Sequence, residues 1–245
     1  MTAAAVDRLP QRLVAEGVGT GLLLAAVVGS GIMAERLAGG SAGLALLANT
    51  LATAAALVAL LHAFGPVSGA HLNPAVTLAL AARGALPRGA VPGYLLAQLA
   101  GAVLGVWLAH AMFELPVVQV SARARTGAGQ WVGEFTATFA LLSVVWGCAR
   151  HRPEAAPAAV ACVIAAAYWF TSSTSFANPA VTVARALSDS FAGIRPVDVP
   201  AFVLAQLAGA AAATALFAWF EEEEMPAGVG QTAARGSQRT GAVEL

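Results

Sequence analysis

The sequence predicts an all-α membrane protein in which six helices cross the bilayer and two half-length helices enter it without crossing, the whole arranged as an inverted repeat. Three observations carry this. The 245-residue chain is 58% hydrophobic and only 11% charged, whereas an average soluble domain carries about 25% charged residues. Six apolar runs are each long enough for a helix to cross hydrocarbon, which takes about 20 residues. Motifs from the first half of the chain return in the second. This composition excludes an ordinary soluble enzyme. The 13 basic residues, all arginine, are cancelled by 13 acids, so no basic excess marks a nucleic-acid partner. Alanine and glycine are abundant, and small side chains let helix backbones approach closely in lipid.

The crossing helices are expected at Leu13–Ala34, Gly43–Phe64, Val91–Phe113, Trp131–Ala149, Ala156–Phe170 and Val199–Phe220. Arg8 and Arg12 precede the first, but its apolar run continues past the h-region of a signal peptide without a small-residue cleavage site, so it reads as a retained span. Two further apolar segments, His71–Ala82 and Asn178–Ser188, reach only about halfway through a bilayer. Placing both termini in the cytoplasm puts Arg8, Arg12, Arg83, Arg88, Arg150, Arg152, Arg235 and Arg239 inside. Arg36, Arg123, Arg125, Arg185 and Arg195 then lie outside, the distribution that the positive-inside rule favours. Residues 1–12 thus form a cytoplasmic tail and 13–220 one domain, with repeats over about 13–113 and 131–220. Residues 221–245, opening on Glu221–Glu224, form a disordered cytoplasmic tail. Cys148 and Cys162 lie in apolar stretches without a CxxC spacing and read as small buried hydrophobes; no metal or other cofactor is expected.

The repeat fixes the organisation. Val91-Pro-Gly-Tyr-Leu-Leu-Ala-Gln-Leu-Ala-Gly-Ala102 returns as Val199-Pro-Ala-Phe-Val-Leu-Ala-Gln-Leu-Ala-Gly-Ala210, and Asn73-Pro-Ala-Val-Thr77 returns as Asn178-Pro-Ala-Val-Thr182. Glu16 in the first span corresponds to Glu134 in the fourth. Each half holds three spans and one half-helix. Because three is odd, the second half enters the membrane from the opposite face, and the half-helices meet in the middle.

Asn73-Pro74-Ala75 and Asn178-Pro179-Ala180 are helix starts. A half-helix beginning inside the membrane exposes N–H groups that hydrocarbon cannot satisfy. The asparagine side-chain oxygen accepts from them, and proline at the first position adds no further orphan donor. The asparagine NH₂ groups are then expected to be free to donate into the space where the two starts meet. The helix dipoles add positive potential there, which favours a water or polyol oxygen and opposes a cation. Broken backbone at this depth is tolerated where it lines a cavity, so the pattern predicts a pore.

Ser68-Gly-Ala-His-Leu-Asn-Pro-Ala-Val-Thr77 resembles the first signature of the aquaporins and aquaglyceroporins, the major intrinsic proteins, and the resemblance covers the chain except its tails. It implies an aquaporin-like fold, one pore per subunit, a homotetramer, and a passive channel for small neutral solutes, not an enzyme. It also implies that the intramembrane Glu16 and Glu134 hold the re-entrant loops. The bottom-up alternative for them is a carboxylate proton relay, which would make an ion-coupled transporter. Gln98 and Gln206, at matching repeat positions, are expected to tie loops or helices together, and His71 to be a hydrogen-bonded strut. Gly101 and Gly105 permit a close helix contact without choosing its partner.

One departure bears on selectivity. In the family, an arginine normally follows the second Asn-Pro-Ala at once and belongs to the narrowest ring of the pore; here the residue is Val181. Counting back without gaps, the other ring positions fall on Thr53, Ala166 and Ser175. Such a ring is expected to be wide and mildly polar, passing neutral solutes larger than water. The stretch from Thr171 to Thr182 resembles a bacterial subgroup associated with arsenic resistance, which implies metalloid acids or methylated arsenicals beside glycerol-like solutes and water, in a bacterial inner membrane. Arg185, four residues after Val181 and so on the same helical face, either places positive charge at the outer vestibule or snorkels to the interface. A water-selective channel and a closed-pore structural tetramer are the remaining alternatives.

Overall fold

A computed structural model describes residues 8–223, and among them the chain forms eight α-helices and no strand. These are α1 (Leu9–Leu37), α2 (Ala42–Ser68), α3 (Pro74–Ala82), α4 (Val91–Met112), α5 (Ala128–His151), α6 (Ala156–Phe170), α7 (Pro179–Arg185) and α8 (Val199–Glu223). Six are long and apolar enough to cross a membrane; α3 and α7 are the half-helices. The crossing helices stand where hydropathy places them, most of them extended by several residues at one or both ends. The half-helices begin at the prolines, not at His71, and α7 ends at Arg185, short of Ser188.

Local chemistry explains the ends. Proline occupies the first turn of α1, α3, α4, α6 and α7, where its missing N–H costs nothing. Ser41 caps α2 by accepting from the Leu44 N–H, and α2 ends at Gly69, whose φ of +90° suits glycine. The last helix continues through Glu223, so the acidic run that was expected to open a disordered tail begins inside α8, where Glu221 pairs with Arg83. Residues 1–7 and 224–245, with most of both expected tails, lie outside the described residues.

The two halves pack alike. In the first, α1 lies against α4; in the second, α5 lies against α8. A methyl group on Gly101 or Gly105 would overlap the carbonyl of Gly17 or Gly21. The small-residue pair of α4 therefore serves a contact inside one chain, against α1. In the second half Gly209, the repeat counterpart of Gly101, rests on the Phe135 carbonyl in the same way. Helix α2 packs against α6 across the halves. On α6, Val160, Ile164 and Tyr168 turn inward at intervals of four. Cys162 lies between them in phase and is exposed, and Cys148 is half-buried, so the reading of both cysteines as buried hydrophobes does not hold.

Candidate functional site

The two helix starts meet end to end. Asn73 Oδ1 accepts from the Ala75 N–H at 2.9 Å, and Asn178 Oδ1 accepts from Ala180 at 3.0 Å and Val181 at 3.3 Å. The amides also reach across: Asn73 Nδ2 donates to the Ala177 carbonyl and Asn178 Nδ2 to the Leu72 carbonyl, both at 2.8 Å. The expected freedom of the asparagine NH₂ groups is thus halved. One hydrogen of each satisfies a carbonyl of the opposite loop that would otherwise be buried without a partner. Each amide has a second hydrogen, and both asparagines line the central cavity.

The residues just before each asparagine adopt left-handed backbone: Ala70 and Leu72 at φ of 45° and 48°, Ser175 and Ala177 at 51° and 48°. Non-glycine residues there cost roughly 1–3 kcal/mol each and persist only where their surroundings hold them. The Ser68 and Ser173 hydroxyls hold Ala70 and Ser175, and two fully buried carboxylates hold Leu72 and Ala177. Glu16 accepts from the N–H groups of His71 and Leu72 at 2.9 and 2.7 Å, and from the Ser68 hydroxyl. Glu134 accepts from Phe176 and Ala177 at 2.8 and 2.9 Å. Gln98 donates to Glu16 and to Thr77 Oγ1, and Gln206 donates to Glu134 and to Thr182 Oγ1. Thr77 and Thr182 in turn donate to the Asn73 and Asn178 carbonyls. Each repeat thus carries the same chain of glutamate, glutamine, threonine and asparagine. His71 Nδ1 sits 3.1 Å from Thr77 Oγ1. The threonines were visible as the last letter of the repeated motif, but their part in this chain was not.

The cavity between the halves holds about 320 Å³. Its wall at the α3 end is largely apolar, with Leu57, Leu61, Leu80, Val145 and Val160. At the α7 end it presents Thr53, Tyr168, Ser175, Val181 and Arg185. No cluster of three or more histidine, cysteine, aspartate or glutamate side chains suited to a metal occurs among the described residues.

A cavity lined by both paired helix starts narrows the kinship, and sequence comparison decides it. The sequence model described as Major intrinsic protein matches residues 4–172. The chain is 52% identical over 218 residues to aquaglyceroporin AqpS of Rhizobium meliloti, covering 89% of this chain and 93% of that one. The chain belongs to the major intrinsic protein family. It is therefore a passive channel protein for small neutral solutes, not an enzyme. Aquaporin NIP1-4 of Oryza sativa is 32% identical over 82% of this chain and 74% of its own length. The X-ray structure of the aquaglyceroporin from Plasmodium falciparum matches with a TM-score of 0.61, at 20% identity, over 89% of this chain and 97% of that one, a likeness of fold.

Within this major intrinsic protein, three of the four residues counted to the ring, Thr53, Ser175 and Val181, reach the cavity; Ala166 does not. It is exposed on α6, and Tyr168 reaches the cavity in its place. The gap-free count misses the cavity-facing position by two residues, and two residues turn a helix by about 200°. The Tyr168 hydroxyl is bound to Thr53 Oγ1 at 3.2 Å.

Arg185 does not snorkel. It is 2% exposed, its guanidinium carbon lies 3.4 Å from the Phe176 ring centroid, and its Nε donates to the Ala192 carbonyl. Arg125, from the loop between α4 and α5, lies 4.8 Å from the same ring. It donates to the carbonyls of Gly193 at 2.7 Å and Ser173 at 3.1 Å, and its own N–H is held by Asp198. Burial, and then the neighbouring charge of Arg185, bring Arg125 down to about 9, which leaves it charged at neutral pH. Sequence reasoning missed Arg125 and Phe176; only the placement of Arg125 in a polar loop hinted at the first.

Proposed function

We propose that this protein conducts small uncharged, oxygen-bearing solutes down their gradients: glycerol-like polyols, metalloid acids such as arsenous acid or methylated arsenicals, and water. It acts as a homotetramer in a bacterial cytoplasmic membrane with both termini in the cytoplasm. The observation that carries the solute class is that Thr53, Tyr168, Ser175 and Val181 line the cavity, and we read them as its selective ring. It has hydroxyl groups to replace part of a solute's hydration, apolar surface beside them, and no guanidinium in its plane. The name of the aquaglyceroporin from Rhizobium meliloti, 52% identical, supports the polyol part of this reading. Glu16 and Glu134 serve as fixed acceptors, since Glu16 is filled by N–H donors and the Ser68 hydroxyl and Glu134 by N–H donors alone, which disfavours a proton relay.

Tyr168 favours a second reading, a narrower channel for water alone, because an aromatic side chain stands where the sequence count placed a methyl group. Stopped-flow light scattering on proteoliposomes separates the two. Native protein is expected to pass water, glycerol and arsenous acid, and Val181→Arg to reduce the two larger solutes several-fold while water flux persists. Native vesicles that pass only water, unaltered by Val181→Arg, would support the second reading.

A further inference from the structure

The guanidinium of Arg185 sits one helical turn beyond Val181, about 6 Å along the axis, and it is held there from two sides. Phe176 stacks beneath it, and the Ala192 carbonyl takes its Nε–H. That is its only hydrogen bond to the protein among the described residues, so its two NH₂ groups have no protein acceptor while the residue lines the cavity. Arg125, by contrast, gives both ends of its guanidinium to carbonyls of the loops around α7. Neither arginine forms an ion pair among the described residues. Glu134, the carboxylate that acts electrostatically on both, is occupied by Phe176, Ala177 and Gln206. Asp198 is engaged by the Arg125 backbone and the Arg195 side chain. The mouth therefore holds fixed positive charge with one set of donors already used and one set open to the cavity.

We propose that Arg185 is a specificity-determining residue of this channel: a displaced filter cation that excludes sodium and hydronium ions and offers its open NH₂ groups to the oxygens of an entering neutral solute. The inference rests on the solute channel proposed above. Arg125 positions the charge by pinning the loops that carry Phe176 and Ala192. A cation reaching this mouth meets a guanidinium in a site of low dielectric, where repulsion over a few ångströms greatly exceeds its value in water. A neutral oxygen meets two donors. Separating the charge from the ring leaves the ring apolar at Val181, so the two selections, by charge and by size, are made one turn apart.

The test measures two fluxes in the same proteoliposomes: light scattering with glycerol, and proton entry reported by a trapped pH dye under an imposed potassium potential. In Arg185→Gln the proton leak is expected to rise at least tenfold, while glycerol entry, deprived of the two NH₂ donors, falls several-fold without being abolished. Arg185→Lys, which keeps the charge, is expected to retain the native leak. Val181→Arg made in the native background is expected to lower the leak no further, because exclusion is already complete. An Arg185→Gln channel that passes glycerol and leaks no more than native overturns the proposal. So does a Val181→Arg protein that leaks tenfold less than native, an outcome that needs no Arg185 variant to fold. Failure of the proposed solute class shows separately, as absent glycerol entry in the native vesicles.

Discussion

Tyr168 and Ala166 stand two positions apart on α6, Tyr168 lining the cavity and Ala166 exposed, so substitutions there discriminate between counted and proposed ring membership. Tyr168→Ala opens the ring and is expected to raise permeability to a four-carbon polyol relative to glycerol by several-fold. Ala166→Leu, on the exposed side, is expected to leave both within about twofold of native. Swelling rates in proteoliposomes read the two directly. Glu134 is the second informative residue. Its two oxygens take two loop N–H groups and the Gln206 amide, whereas glutamine in its place offers one acceptor oxygen and a donor facing donors. Losing a hydrogen bond to a charged group costs about 1.5–3 kcal/mol, so Glu134→Gln is expected to lower the thermal midpoint of the detergent-purified protein by several degrees, read by intrinsic fluorescence. The glutamates and asparagines were legible in the sequence because each appears twice at matching repeat positions. Tyr168 and Phe176 were not, because their roles depend on helix phase and loop length, which a motif does not encode.

At the scale of elements, the contact between α1 and α4 sets how closely the first half can close around the pore. Backbone lies on backbone at Gly17, Gly21, Gly101 and Gly105, and no side chain can yield to make room. Overpacking such a site costs about 1–3 kcal/mol. Gly101→Val is expected to cut the yield of folded protein and lower its unfolding midpoint, while Gly43→Ala, with open space around it, is expected to be neutral or slightly stabilising. Thermal unfolding followed by size-exclusion chromatography compares them. Hydropathy revealed the six spans because lipid demands uninterrupted apolar surface of fixed length. For four of the six it placed one or both ends inside the true ones, since helices continue past the hydrocarbon until a cap stops them, as Gly69 stops α2. Which glycines faced each other was not legible, because small residues allow a close crossing without naming its partner.

Across the whole molecule, the pseudo-two-fold arrangement was the most legible property, since an odd number of spans per repeat leaves no other way to place the second copy. The symmetry is not complete. Ser68 and Tyr94 support the Glu16 side, where the Tyr94 hydroxyl donates to the Ser68 carbonyl, while Phe202 packs edge-on against Phe176 on the Glu134 side. The cationic mouth belongs to one end alone. Assembly is a further whole-molecule expectation: light scattering coupled to chromatography in mild detergent is expected to give the mass of four chains, and a stable monomer would remove the tetramer from the proposal.

The paired asparagine bonds also constrain how the protein is made. Asn73 donates to a carbonyl 104 residues later, and Asn178 to one 106 residues earlier. The first half-helix therefore cannot complete its polar contacts when it leaves the ribosome. At about 5–20 residues per second it waits roughly 5–20 seconds for its counterpart, with buried backbone groups still seeking partners. Biosynthesis must shelter an unfinished re-entrant loop in water or in the insertion machinery, and release it to the bilayer only after the second Asn-Pro-Ala arrives.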